Sequence, residues 1–241
     1  MASDLLSILL DPVRTLFFPS HCAGCGRSVP ESEHLCGSCE KSIEKIRPPR
    51  CEVCSQPYLG DVPTFTCPNC HGEAFHFDCA VAVVRSSGVV REMVHRLKYG
   101  KELWLGRILA GWMREGLDDP RLKNWPPDAL VPVPLHPRRL REREFNQAEI
   151  LCLELSRTCG IRVFPALERR RYTTTQTQLD RRGRRQNLRD AFIPGKNTDV
   201  TNMNLLLVDD VLTTGSTLDA CAAALLEAGA RSVRALTAAR G

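Results

Sequence analysis

Leu205-Leu206-Leu207-Val208-Asp209-Asp210-Val211-Leu212-Thr213-Thr214-Gly215-Ser216-Thr217 is the run on which the reading of this 241-residue chain turns. Leu205 to Val208 has no polar face, the pattern of a strand buried on both sides in a parallel sheet. Asp209 and Asp210 then stand at its carboxyl end, where open α/β sheets place their ligands. Thr213 to Thr217 is small and hydroxylated around Gly215. Such a loop can wrap a phosphate with backbone N–H groups and hydroxyls, helped by the N-terminus of the next helix. Carboxylates one loop-width away suit vicinal ribose hydroxyls. The run therefore predicts a ribose 5-phosphate clamp, with Asp209 and Asp210 on the sugar. Val211, Leu212, Thr213, Thr214, Gly215, Ser216 and Thr217 would surround the phosphate.

Downstream, Leu218, Cys221, Ala222, Leu225 and Leu226 share one helix face, Gly229 ends that helix, and Ser232 to Thr237 reads as a strand. Upstream, Phe77 to Val84 is β-rich, and Val89 to Leu97 and Trp104 to Met113 repeat apolar positions at helical spacing. Asn124 to Pro127 is a loop, Ala129 to Pro134 a short strand, and an Arg-rich loop follows. A helix over 146–158 is closed by Gly160. Strands alternating with helices predict an α/β parallel sheet with helices on both faces.

The head of the chain is different. Of twelve cysteines, eight form four Cys-x-x-Cys knuckles: Cys22/Cys25, Cys36/Cys39, Cys51/Cys54 and Cys67/Cys70. Two residues between cysteines let both thiolates of a tight turn face one ion, and two turns complete a tetrahedral S₄ shell suited to Zn²⁺. Two structural zinc ions are expected, with no open coordination position for catalysis. Sequential pairing of knuckles is the simpler topology; spacing alone leaves a cross-braced one open. His71 and His76 lie nearby, but the complete cysteine sets do not need them. Cys79, Cys152, Cys159 and Cys221 sit in apolar surroundings and read as core residues. Residues 1–76, a short amphipathic helix and the cysteine region, form one expected domain, and 77–241 the other.

The formal net charge is +5. Between Glu168 and Arg189, eight arginines face only Glu168 and Asp180, so this segment is more basic than the whole chain. A local basic excess implies a local anionic partner, a polyphosphate or a nucleic acid. Leu5 to Phe18 is apolar but lacks a basic leader and is broken by Asp11, Pro12 and Arg14. It fits neither an export signal nor a membrane span. The expected location is the cytoplasm, where cysteines stay reduced or bind metal.

With these residues in view, the 205–217 run resembles the binding signature for phosphoribosyl pyrophosphate (PRPP) of type I phosphoribosyltransferases. The zinc knuckles in their order, Leu97-Lys98-Tyr99-Gly100, Val131-Pro132-Val133-Pro134-Leu135, Arg143-Glu144-Phe145-Asn146-Gln147, Gln176-Thr177-Gln178-Leu179 and Arg185-Gln186-Asn187 resemble the ComF (competence protein F) family. The resemblance spans about Phe17 to Gly241. It implies a parallel-sheet phosphoribosyltransferase fold behind a double zinc ribbon, PRPP or a related ribose 5-phosphate ligand, Mg²⁺ with the pyrophosphate, and a link to natural transformation and external DNA. Leu135 to Gln147 would be the pyrophosphate loop, with Arg138, Arg139 and Arg143, and Lys98 would add a cation. Thr173 to Arg189, with Arg181, Arg182 and Arg185, would be a lid that excludes water during transfer. One position departs from the family: its loop reads Arg-Gly-Phe-Asn-Gln, and Glu144 stands at the glycine.

Three functions compete. The first is Mg²⁺-dependent phosphoribosyl transfer from PRPP to an unidentified acceptor, recognised by a hood over about 77–113. The second is a nucleic-acid-handling accessory role in DNA uptake, with single-stranded DNA or a DNA-uptake protein as partner. The third, kept open by Glu144, is a non-catalytic PRPP or nucleotide sensor.

Overall fold

The computed structural model of the protein describes residues 21–31, 33–60, 62, 65–171, 188, 190–196 and 198–241. The apolar stretch over 5–18, most of the proposed lid, and Arg181, Arg182 and Arg185 lie outside them.

Six strands and seven helices are described: α1 (Gly37–Lys41), β1 (Ala80–Arg85), α2 (Gly88–Tyr99), α3 (Leu105–Gly116), α4 (Pro120–Lys123), β2 (Ala129–Pro132), α5 (Pro137–Arg143), α6 (Gln147–Cys159), β3 (Leu167–Arg169), β4 (Phe192–Pro194), β5 (Asn204–Leu212), α7 (Ser216–Glu227) and β6 (Ser232–Arg240). The main sheet has the order β1-β6-β5-β2, and every pair in it is parallel. β3 and β4 form a separate antiparallel pair.

Alternation along β5 divides the core. Leu205 and Leu207 pack with Val131, Ala235 and the α7 residues Leu218, Cys221 and Leu225 on one face. Leu206 and Val208 pack on the other with Met93 and Leu97 of α2, Leu109 and Met113 of α3, and Leu151 and Leu155 of α6. Cys79, Cys152 and Cys221 are buried in these cores. Burial pushes the Cys79 thiol up to about 11, and those of Cys152 and Cys221 well above their ordinary value. These thiols are inert packing groups.

Two differences from the sequence reading bear on the site. β5 does not stop at Val208: its register with β6 continues from Asp209 opposite Thr237 to Leu212 opposite Arg240. The Arg-rich stretch after β2 contains the helix α5, with Pro137 in its first turn and the His136 side chain accepting from the Arg138 N–H. Proline is pre-set for that position, because the N–H it lacks has no helical partner there.

The cysteine region covers the free edge of β1. Val53 O accepts from Ala80 N at 2.7 Å, and the buried Ser55 hydroxyl donates to Ala80 O at 2.9 Å and accepts from Ala82 N at 3.1 Å. Ile46 N donates to Val83 O at 2.8 Å. An edge strand with open backbone groups invites pairing with other chains. Here the second pair of knuckles and the segment before it take up those groups.

Candidate functional site

The eight knuckle sulfurs gather into two sets, Cys22, Cys25, Cys36, Cys39 and Cys51, Cys54, Cys67, Cys70, each with all sulfurs within 4.8 Å of one another. Pairing is thus sequential, first knuckle with second and third with fourth. Cys25 Sγ lies 3.7 Å from Cys36 Sγ, and Cys54 Sγ 3.5 Å from Cys67 Sγ. Those separations are far longer than a disulfide, at ~2.05 Å. They match the edge of a tetrahedron whose centre is ~2.3 Å from each sulfur, about 3.8 Å. Backbone N–H groups support the sulfurs: Cys36 N reaches Cys22 Sγ at 3.2 Å and Cys67 N reaches Cys51 Sγ at 3.3 Å. The donor set fits two structural zinc ions. His76 is engaged elsewhere, its Nδ1 3.0 Å from Asp219 Oδ1 on α7.

At the carboxyl end of β5 the two acids face opposite sides of the sheet. Asp209 follows Leu205 and Leu207 in the alternation and lines a small hollow with residues 211–218. Gly215 adopts φ +82° at the start of α7, which has no side-chain cap. That conformation suits glycine. Close behind its Cα lie Phe75 and Phe77, 3.4 and 3.6 Å from where a Cβ would stand. Thr214 Oγ1 and Ser216 Oγ meet at 3.0 Å. A hydroxyl-rich loop, an uncapped helix start and one carboxylate thus share one hollow. Burial, then repulsion from Asp210, hold the Asp209 carboxyl well above the usual carboxylate range, with Lys98 pulling the other way.

Asp210 points into the other face, where its Oδ2 pairs with Lys98 Nζ at the end of α2. Burial alone would lower the Lys98 pKa; the Asp210 carboxylate outweighs it and holds the ammonium above its ordinary value. Gln147 Nε2 donates to Asp210 Oδ1 at 3.4 Å, and Arg143 Nη1 donates to Gln147 Oε1 at 2.6 Å. Arg143 also sits over the Tyr99 ring, 5.0 Å from its centroid. Asn146 caps α6, accepting from Ala148 N at 3.1 Å, and its amide donates to Val133 O at 3.0 Å. The sequence motif around Arg143 is therefore a bridge from the β2 exit to Asp210.

A cavity of about 330 Å³ opens beside this bridge, lined by Lys98, Tyr99, Lys101, Arg139, Glu142 and Arg143. Arg138 turns along α5 to Glu142, at 3.0 Å. Glu144 ends α5 with φ +71° and pairs with Lys101 at 2.6 Å, both side chains more than half exposed. The backbone keeps the left-handed conformation that glycine would adopt freely. Glu144 is turned to a lysine and not to the arginines of its own loop.

Lys98, Asp209, Asp210, Arg139, Arg143 and the 211–217 loop thus meet at one end of the sheet. Sequence reasoning missed Lys101, Tyr99, the Gln147–Asp210 contact and the Phe75–Phe77 backing of the loop. Only Tyr99 and Gln147 carried a signal, as members of quoted motifs.

Sheet, loop and cysteine sets together define a double zinc ribbon joined to a phosphoribosyltransferase domain. Residues 13–71 match the family model of the double zinc ribbon domain, and residues 148–241 that of the phosphoribosyl transferase domain. Competence protein F of Haemophilus influenzae is 30% identical over 226 residues, covering 90% of this chain and 96% of that one. The chain belongs to the competence protein F family. The DNA utilization protein YhgH of Salmonella typhi is 32% identical over 203 residues, covering 83% of this chain and 87% of its own. Competence protein ComFC of Bacillus subtilis is 27% identical, covering 85% and 83%. Among the described residues no helix is long and apolar enough to cross a membrane.

Proposed function

We propose that the protein binds PRPP at the carboxyl end of β5 and transfers its phosphoribosyl group to an acceptor, in the cytoplasm and in the service of DNA utilisation. The observation that carries this is the shared hollow of Asp209 and residues 211–218 at the uncapped start of α7. The loop holds the 5-phosphate and Asp209 accepts from a ribose hydroxyl. The pyrophosphate lies toward Lys98, Arg139 and Arg143, with Arg181, Arg182 and Arg185 of the lid closing over it. Asp210 acts through Lys98, orienting its ammonium. Mg²⁺ comes with the diphosphate, since that ion favours phosphate oxygens plus one or two carboxylates; Asp209 is the carboxylate on the ligand side. The ribbon part and the transferase part divide between Cys70, the last zinc ligand, and Ala80, the start of β1, near residue 76.

Calorimetry with PRPP and with ribose 5-phosphate tests the clamp. Asp209→Asn is expected to weaken both ligands about tenfold or more, because a charge-assisted hydrogen bond is worth roughly 1.5–3 kcal/mol. Unchanged affinity would make Asp209 structural. Pyrophosphate release with candidate bases then separates a transferase from a sensor.

Glu144→Gly gives a finer test. It relieves about 1 kcal/mol of left-handed strain and frees Lys101 beside the cavity. The exposed Lys101–Glu144 pair it removes contributes little in water. PRPP affinity is expected to rise several-fold, with ribose 5-phosphate unchanged because that ligand ends short of the cavity. A fall in PRPP affinity would place Glu144 among the binding groups.

A second reading, nucleic-acid handling without transfer, draws on the exposed Tyr99 beside Lys101 and Arg143. Single-stranded DNA binding that weakens steeply with salt would support it.

A further inference from the structure

Arg240, the last residue of β6, has a buried guanidinium. Its Nε donates to Cys54 O at 3.1 Å, its Nη1 donates to Leu212 O at 3.1 Å and to Gly241 O, and its Nη2 lies 3.8 Å from Cys54 Sγ. These partners are the main-chain oxygens of Cys54, Leu212 and Gly241, the last residue given, and one sulfur. A buried guanidinium is costly unless it is paired and fully hydrogen-bonded. Four thiolates around one Zn²⁺ leave a dianionic centre, and Cys54 belongs to the second cysteine set. With zinc bound, that centre would set negative charge beside Arg240 Nη2, which lies against Cys54 Sγ.

The other arm of the fork holds the opposite end of the arrangement. Leu212 is the last residue of β5, directly before Thr213. Its carbonyl also accepts from Gly241 N at 2.9 Å. The same ribbon reaches the loop from a second side: Phe75 and Phe77, just beyond Cys70, back Gly215, and His76 N donates to Asp219 Oδ1 of α7 at 2.7 Å. The first cysteine set is placed differently. Gly24 approaches Val89, and the Ala23 carbonyl accepts from Arg96, so it supports α2.

We propose that Arg240 is a positioning residue that anchors the 213–217 loop on the second zinc centre, so that affinity for a ribose 5-phosphate group depends on this fork. The proposal rests on the clamp reading of that loop. Planarity matters here: a guanidinium presents donors in a fixed fork and satisfies two carbonyls and a thiolate at once, whereas an ammonium is a point charge. Zinc binding and loop geometry are then separable in variants.

The test uses the full chain, with ribose 5-phosphate as probe, and measures calorimetric affinity, zinc content and thermal unfolding together. Wild type should bind the probe and hold two zinc equivalents. Arg240→Met should keep both zinc ions and the melting transition of a folded protein while losing at least tenfold in affinity. A residue with only a structural role would lower the melting temperature and leave the affinity of the folded fraction unchanged; that outcome overturns the proposal. Should Arg240→Met lose zinc or fail to fold, Arg240→Lys decides. It keeps a cation beside the thiolates but loses the fork, so affinity should fall at least fivefold at full zinc content, and an unchanged affinity refutes the anchor. Wild type that binds no ribose 5-phosphate would fail the clamp reading itself, whatever the Arg240 variants do, and the proposal would fall with it.

Discussion

Stripping the metal with a strong chelator is expected to unfold residues 21–71, and metal analysis of protein purified without added zinc should return close to two equivalents. The ribbon has few apolar residues of its own: the cluster around the first cysteine set consists of Cys22, Cys36 and Cys39 with Val29, Leu35 and Val89 against them. Structural zinc in small finger peptides contributes about 10–16 kcal/mol of apparent binding free energy, more than such a cluster can supply. The two sets should not be equivalent. Loss at the first leaves the sheet intact. Loss at the second removes Val53 and Ser55 from the edge of β1, so far-UV circular dichroism should fall by more than the ribbon's own share. A zinc content near zero with the ribbon still folded would refute the assignment.

Asp210→Asn is expected to destabilise the protein by about 3 kcal/mol, the lower end for breaking a buried ion pair. The Asp210 side chain is 3% exposed and that of Lys98 23%, so the pair is poorly screened while the ammonium retains some access to water. Removing the carboxylate puts an amide against Lys98 where its ion-pair partner stood. Urea unfolding of Asp210→Asn, Lys98→Met and the double variant gives the coupling, expected at about 1–3 kcal/mol. A coupling near zero would mean that Lys98 turns to solvent in solution. This pair and the Asp209 test together separate the two acids, which adjacency in sequence presents as equivalent.

That separation shows what the sequence could and could not convey. Adjacent strand residues point to opposite faces, so once β5 runs on to Leu212, Asp209 and Asp210 meet different neighbours, the 211–218 loop for one and Lys98 for the other. Nothing local announces the continuation. Val208 looks like the end because two charged residues follow, and the pairing that carries the strand onward comes from Thr237 to Arg240, far along the chain. The zinc sets were legible because their spacing is itself the geometry, and α6 because Asn146 and Gly160 mark its ends. The β3–β4 pair was not: three residues per strand show no period, and each partner lies more than twenty residues from the other. Arg240 gave no sign either, since its acceptors are main-chain oxygens, which every residue carries, and a sulfur already assigned to zinc.

The strand order has a consequence for how the chain is made. β6 lies between β1 and β5, yet it is the last of the four to leave the ribosome. Synthesis therefore delivers β1, β2 and β5 before the strand that joins the first of them to the rest. Contacts of such long sequence separation close slowly. Until Ser232 to Arg240 emerges, β1 has no sheet partner. The ribbon, made before β1 and able to take zinc within Cys22 to Cys70, gives that waiting strand a folded cover and leaves fewer open backbone groups for a neighbouring chain to capture.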